Sequence, residues 1–138
     1  MALILIIGGY GGFGARLARR LAARGHRLLV GGLDGAKAVR FCAGLDGAVP
    51  VVVDRTGDVA TVLAEQRPDL VIDAAGPFQA SDYRVPEACI AAGIAYLDLA
   101  DARDFVCGIG ALDAAAHAAG VAVIAGASSV PALSVCAR

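Results

Sequence analysis

The segment Gly8-Gly9-Tyr10-Gly11-Gly12-Phe13-Gly14 follows directly on an aliphatic run, and Gly9, Gly11 and Gly14 fall at the spacing G-x-G-x-x-G. Glycines so placed bring backbone and phosphate together. Gly9 permits a tight turn, Gly11 leaves the backbone bare to a pyrophosphate, and Gly14 lets the following helix pack closely on the strand. The first N–H groups of that helix, at the positive end of its dipole, then face the anion. This points to dinucleotide binding and away from ATP hydrolysis. A phosphate-binding loop of the ATPase kind needs a lysine just behind its glycines, and the only lysine, Lys37, lies far from them and is followed by Ala38.

The end of the second predicted strand should distinguish NAD from NADP. Asp34 falls about 20 residues after Gly14, where an acid takes the ribose hydroxyls of NAD, but it is equally placed to cap the next helix. Gly32 leaves room for a 2′-phosphate, which Lys37 or Arg40 could approach. The residues leave both cofactors open. A Tyr-x-x-x-Lys proton-transfer pair is absent, since the residues four after Tyr10, Tyr83 and Tyr96 are Gly14, Glu87 and Ala100. Asp73 is expected to hydrogen-bond loop N–H groups at the end of its strand. His26 is expected to face solvent, and Asp113 and His117, one helical turn apart, lack a third ligand for a metal. Ser128 and Ser129 read as a helix cap. Cys42, Cys89, Cys107 and Cys136 form no C-x-x-C and read as free thiols, so no metal site is expected.

Elements that could hold these residues alternate along the whole chain. Residues 3–7 form a continuous aliphatic run, the mark of a strand buried on both faces of a parallel sheet. Phe13, Leu17 and Leu21 recur every fourth position, with Arg16, Arg19, Arg20 and Arg24 on the other face, which predicts a helix over residues 13–24 stopped by Gly25. The pattern continues with strands at 28–31, 49–54, 70–73, 94–98 and 121–125 and helices at 35–43, 58–66, from 81 or 82 to 93, and 112–119. Asp58 is the predicted cap of the third helix, and Pro86 lies in the first turn of the fourth. Single helices alternating with strands over short loops specify a doubly wound α/β fold with six parallel strands in the order 3-2-1-4-5-6.

Composition fits that architecture. The 138 residues are 58% hydrophobic and 18% charged with 18 glycines, which makes one domain able to build a core without disulfides. A net charge of −1 gives no field for nucleic acid or anionic membrane. The most apolar stretch, residues 105–127, contains Asp113, His117 and several glycines, so no membrane span is expected. The N-terminus lacks a basic region ahead of its apolar run, which reads as a cytoplasmic protein.

With these residues placed, the chain resembles the N-terminal NAD(P)-binding domain of the saccharopine dehydrogenase-like family, in its short bacterial oxidoreductase branch, over its whole length. The resemblance rests on GGYGGFG at the first turn, DAAGPFQ after the fourth strand, EACIAAGIAYLDLAD through the fifth, and GASSVPALS after the sixth. It implies NADP or NAD as cofactor, with Gly9, Tyr10, Gly11, Gly12 and Phe13 around the pyrophosphate, Asp54 near the adenine, and the loop Ala75-Gly76-Pro77-Phe78 running toward the nicotinamide. Asp98 and Asp101 would border the nicotinamide and a small-molecule substrate. Many relatives follow the second strand with Gly-Arg, whereas this chain has Gly32-Leu33, which weakens NADP. Relatives also continue into a mostly β substrate and dimerisation domain. Residues 1–138 are therefore expected to be one domain of a longer, homodimeric oxidoreductase acting at a C–N or C–O centre, inactive alone. A non-catalytic NAD(P) sensor is the alternative.

Overall fold

In the computed structural model, which describes residues 2–75, 82–100 and 102–127, the strand β1 (Leu3–Ile7) is covered on both faces. Its side chains alternate between two cores. Leu5 and Ile7 pack with Leu29, Val71 and Tyr96, while Ile4 and Ile6 pack with Leu28, Val30 and Ile72. Period-two alternation with both faces apolar is what a central parallel strand requires. The remaining strands are β2 (Arg27–Gly32), β3 (Ala48–Val52), β4 (Leu70–Asp73), β5 (Ala95–Asp98) and β6 (Val123–Ile124). All pair in parallel, in the order β3-β2-β1-β4-β5-β6. The expected doubly wound sheet is the observed one.

Helices α1 (Gly12–Ala23) and α2 (Gly35–Ala43) cover one face with Ala18 and Cys42, and α3 (Val59–Gln66) and α4 (Arg84–Ala92) cover the other with Val59, Leu63, Val85 and Cys89. Burying a Leu or Val of this kind contributes roughly 1.5–3 kcal/mol. Asp34 and Asp58 accept from the backbone N–H groups of Lys37 and Thr61, both at 3.1 Å, and so cap α2 and α3. The cap at Asp58 was expected. β1 lies between β2 and β4, so the crossovers diverge on either side of it and a crevice opens at the carboxyl ends of the strands.

Several boundaries differ from the pattern-based expectation for local reasons. β3 stops at Val52, not Asp54, because Asp54 turns its carboxylate onto the N–H of Thr56 and bends the chain out of the ladder. β6 has two residues, because the N–H of Val121 is drawn back to the carbonyl of Ala116 on α6 (Asp113–Ala119). Helix α5 (Arg103–Gly108) and the 3-10 turn Ile109–Leu112 were not foreseen. Their anchor is tertiary: Phe105 stacks on Tyr83 with ring centroids 4.8 Å apart and is buried with Ala100 and Ala102. No spacing rule links Tyr83 to Phe105.

The carboxyl ends of β4 and β5 are tied by two buried carboxylates, Asp73 and Asp98, which are register partners. Asp98 is 0% exposed. It accepts from the Tyr96 hydroxyl at 2.6 Å and from the N–H groups of Ala100 and Gly126 at 3.1 and 2.8 Å, which joins the loops after β5 and β6. Burial and the adjacent Asp98 charge push the Tyr96 phenol above its ordinary range, so it stays a donor. Asp98→Ala is expected to strand three donors at ~1–3 kcal/mol each, whereas Tyr96→Phe removes one donor and costs about 2 kcal/mol. Urea unfolding of both variants checks this, and equal losses of stability would refute the tie.

Candidate cofactor site

The chain leaves β1 through Gly8, whose φ of +78° is left-handed. The N–H groups of Gly8 and Gly9 converge on the Gly31 carbonyl at 2.8 and 3.3 Å, and Gly11 N–H returns to the Gly8 carbonyl at 3.0 Å. The conformational freedom that the sequence suggested at Gly9 is used at Gly8. Gly9 is required for space instead, since a Cβ there would stand 3.0 Å from both the Ile6 carbonyl and Val30 Cγ1. Gly14 is tighter still: a Cβ would overlap the Gly8 carbonyl, with its carbon only 2.8 Å away. Helix α1 is thereby pressed against the end of the strand. It has no side-chain cap and no acidic residue in its first turn, so its positive end is left uncompensated.

Beside this turn lies a cleft of about 660 Å³. Tyr10 and Gly11 line it from the glycine turn, Gly32, Leu33 and Asp34 from the end of β2, Asp54, Arg55 and Thr56 from beyond β3, and Ala75 from beyond β4. Of the expected loop residues, Gly9 and Gly14 shape this turn from beneath, while Gly12 and Phe13 are exposed and outside the lining, Phe13 at 75%. Phe13 does not wall the cleft. Gly76, Pro77, Phe78 and Asp101 lie outside the described residues, as do Ser128 and Ser129.

Asp34 sits past the end of β2 and caps α2, and its N–H donates to the Tyr10 hydroxyl at 3.0 Å. The Lys37 ammonium lies 5.6 Å from the centre of the Tyr10 ring. Asp54 is exposed, and its hydrogen bonds from the Thr56 hydroxyl at 2.7 Å and Thr56 N–H at 2.9 Å hold its carboxyl below the usual range. The residue that sequence reasoning missed is Arg55. Its Nε and Nη2 donate to one oxygen of Asp73 at 3.0 and 2.7 Å, while the other oxygen accepts from Ala75 N–H at 3.1 Å. Burial raises the Asp73 carboxyl, and the Arg55 guanidinium pulls it back. Asp73 does bond a loop N–H, that of Ala75, as expected. A basic residue at the end of one strand facing an acid at the end of another was the available signal, but their separation of 18 positions follows no motif.

Asp98 stands at the expected edge of the sheet, buried, with its oxygens accepting from Tyr96, Ala100 and Gly126. His26 is also half-buried rather than solvent-facing, because its Nδ1 accepts from Ala2 N–H at 3.1 Å and pins the N-terminus. Asp113 and His117 line a separate hollow of about 330 Å³ against β6. Cys42 and Cys89 are buried, with the Cys89 thiol pushed up to about 12 by burial and by Asp73, and Cys107 is exposed. Among the described residues, no three His, Cys, Asp or Glu side chains cluster as metal ligands, and no helix is long and apolar enough to cross a membrane.

Solved structures share this architecture at low identity. A short-chain dehydrogenase/reductase from Vibrio parahaemolyticus superposes with a TM-score of 0.69 at 16% identity, over 88% of this chain and 82% of that one. Sorbitol-6-phosphate 2-dehydrogenase SrlD from Erwinia amylovora gives 0.65 at 19%, over 88% and 69%. The Bordetella bronchiseptica enzyme WbmG, solved in complex with NAD, gives 0.57 at 21% over 70% of this chain, which spans only 36% of that enzyme. These likenesses carry the fold. No curated protein matches the chain at a significant level. The family model described as the saccharopine dehydrogenase NADP binding domain matches residues 4–124, from the first residues of β1 to the last of β6. With its glycine turn, uncapped α1 and cleft at the point where the crossovers diverge, the chain belongs to that family of NAD(P)-binding domains.

Proposed function

We propose that this domain binds NADP or NAD in the cleft and serves an oxidoreductase that moves hydride to or from a small C–N or C–O centre. The substrate would be held largely by a further domain of the kind the family carries. The observation behind this reading is the uncompensated N-terminus of α1 beside a bare Gly11 at the mouth of the cleft. A pyrophosphate supplies the missing negative charge, and the backbone N–H groups supply donors. The turn fits the group for a second reason. At Gly9 and Gly14, which shape it from beneath, a Cβ would come within 3.0 Å or less of backbone, whereas at Gly11, which faces the ligand, the nearest atom would be the Gly8 carbonyl oxygen at 3.3 Å.

The bound cofactor supplies a hydride donor or acceptor. The protein's part is to hold it: Gly11 and α1 at the pyrophosphate, Asp54 and Thr56 toward the adenine, and Ala75, fixed by Asp73, toward the nicotinamide. Because Asp73 and Asp98 are both committed to holding loops, no described carboxylate at these strand ends is left to move a substrate proton. That commitment favours the second reading, a non-catalytic NAD(P) sensor, unless the further domain brings the acid or base. Hydride exchange with NADPH or NADH by the longer protein separates the two.

Fluorescence titration of this chain with NADH and NADPH is expected to show saturable binding, and no binding of either at about millimolar concentration removes the assignment. Gly11→Val should weaken binding at least about a hundredfold while lowering the unfolding midpoint less than Gly14→Ala does, because Gly11 has extended φ and ψ of −80° and −177° that valine adopts and its Cβ would stand 3.3 Å from the Gly8 carbonyl oxygen. Gly14→Ala should instead cost roughly 3 kcal/mol of stability, read as a fall in Tm, since its Cβ meets backbone that cannot yield.

A further inference from the structure

We propose that the Arg55–Asp73 ion pair is a clasp that sets the width of the cofactor cleft, which makes Arg55 a positioning residue for the whole dinucleotide and not for either half alone. The inference rests on the cofactor reading above and adds the part that joins the two ends of the site.

The residues assigned to the adenine and the residue assigned to the nicotinamide stand on loops that the sheet keeps apart. Asp54 and Thr56 follow β3, Ala75 follows β4, and β2 and β1 lie between those strands. Three interstrand steps set the two strand ends about 14 Å apart. No ladder spans that gap, and Arg55 closes it. Its Nε and Nη2 donate to one oxygen of Asp73 at 3.0 and 2.7 Å, and the other oxygen accepts from Ala75 N–H at 3.1 Å. One carboxylate therefore grips a residue from each lip of the cleft. The side chain of Asp73 is 0% exposed and that of Arg55 18%, so water and salt compete little for the pair.

A second tie runs beside the first. The Arg84 guanidinium, at the start of α4, donates to the Thr56 carbonyl, and the Arg84 N–H donates to Asp82 Oδ1 at 3.0 Å. The loop after β3 is thus anchored to the end of β4 and also to the helix that comes next in the chain. Arg84 is exposed, which makes its tie the weaker one. A ligand that touches both lips gains from a spacing fixed in advance, because its second half then binds at a high effective concentration and no loop has to be ordered. A ligand confined to the adenine lip and the start of α1 gains nothing from it.

Calorimetric titration of the whole chain with NADH, NADPH and ADP, which carries the adenosine and the pyrophosphate without the nicotinamide half, tests the clasp. Arg55→Met is expected to weaken both dinucleotides about tenfold and to leave ADP unchanged. Arg55→Lys, which keeps a cation opposite Asp73, should recover most of that loss. The double variant Arg55→Met with Asp73→Asn leaves no charge to bury and keeps an acceptor for Ala75 N–H. It should show the same loss, and it decides the matter where the single variant fails to fold. Wild-type dinucleotide binding by the folded variant, or an equal weakening of ADP, overturns the clasp and leaves the cofactor reading standing. Binding of neither dinucleotide by the unaltered chain overturns both.

Discussion

The meeting of Gly14 with the Gly8 carbonyl is the constraint from which the rest of the binding edge follows. It fixes where α1 begins, and so where the positive end of its dipole lies relative to β1. The inner face of α1 is built of small residues, with Gly14, Ala15 and Ala18 buried, and it settles against Ile4 and Ile6 without a bulky side chain between. A glycine inside a helix sacrifices about 1 kcal/mol of propensity. That loss is offset by backbone-to-backbone proximity that no other residue allows. The left-handed Gly8 then turns the chain so that Tyr10 and Gly11 emerge toward the cleft, while the Gly31 carbonyl gathers the N–H groups of Gly8 and Gly9 and stops the turn from spreading.

A second organising feature is the treatment of charge at the carboxyl edge of the sheet. Two carboxylates in adjacent strands are removed from solvent, which is costly unless each is heavily hydrogen-bonded. Asp73 achieves this with a guanidinium and a backbone N–H, and Asp98 with a phenol and two backbone N–H groups. The loops that end at these donors are therefore held by carboxylate acceptors as well as by packing. An acid at the end of a parallel strand can serve catalysis or architecture, and its partners decide which.

How far this could be read from the sequence varies with the range of the interaction concerned. β1, α1, α2, the Asp58 cap and the strand order rest on local periodicity and short-loop topology, and all were legible. The first helix begins one residue earlier than predicted, at Gly12, because Gly11 and not Gly12 is the flanking residue. The glycine turn and its cleft were legible as well, through spacing alone. Arg55 beneath the cleft, the Tyr96 hydroxyl on Asp98 and the α5 anchor on Tyr83 were not, since each joins residues that only the folded chain brings together, or, for Tyr96 and Asp98, a pair whose shared strand face says nothing of the loops they capture. Asp98 looked like a site residue because it stands at the correct edge of the sheet. Its burial and its three donors were not legible from that position.

The packing of Tyr10 over Gly32 couples two positions 22 residues apart. A side chain at position 32 would meet the far end of the phenol, so it could enter only if the ring swung aside, and a ring that swings aside gives up the Asp34 N–H that its hydroxyl accepts. The wall of the cleft and the cap of α2 are thus one mechanical unit, and a change at either position is felt at the first turn of α2.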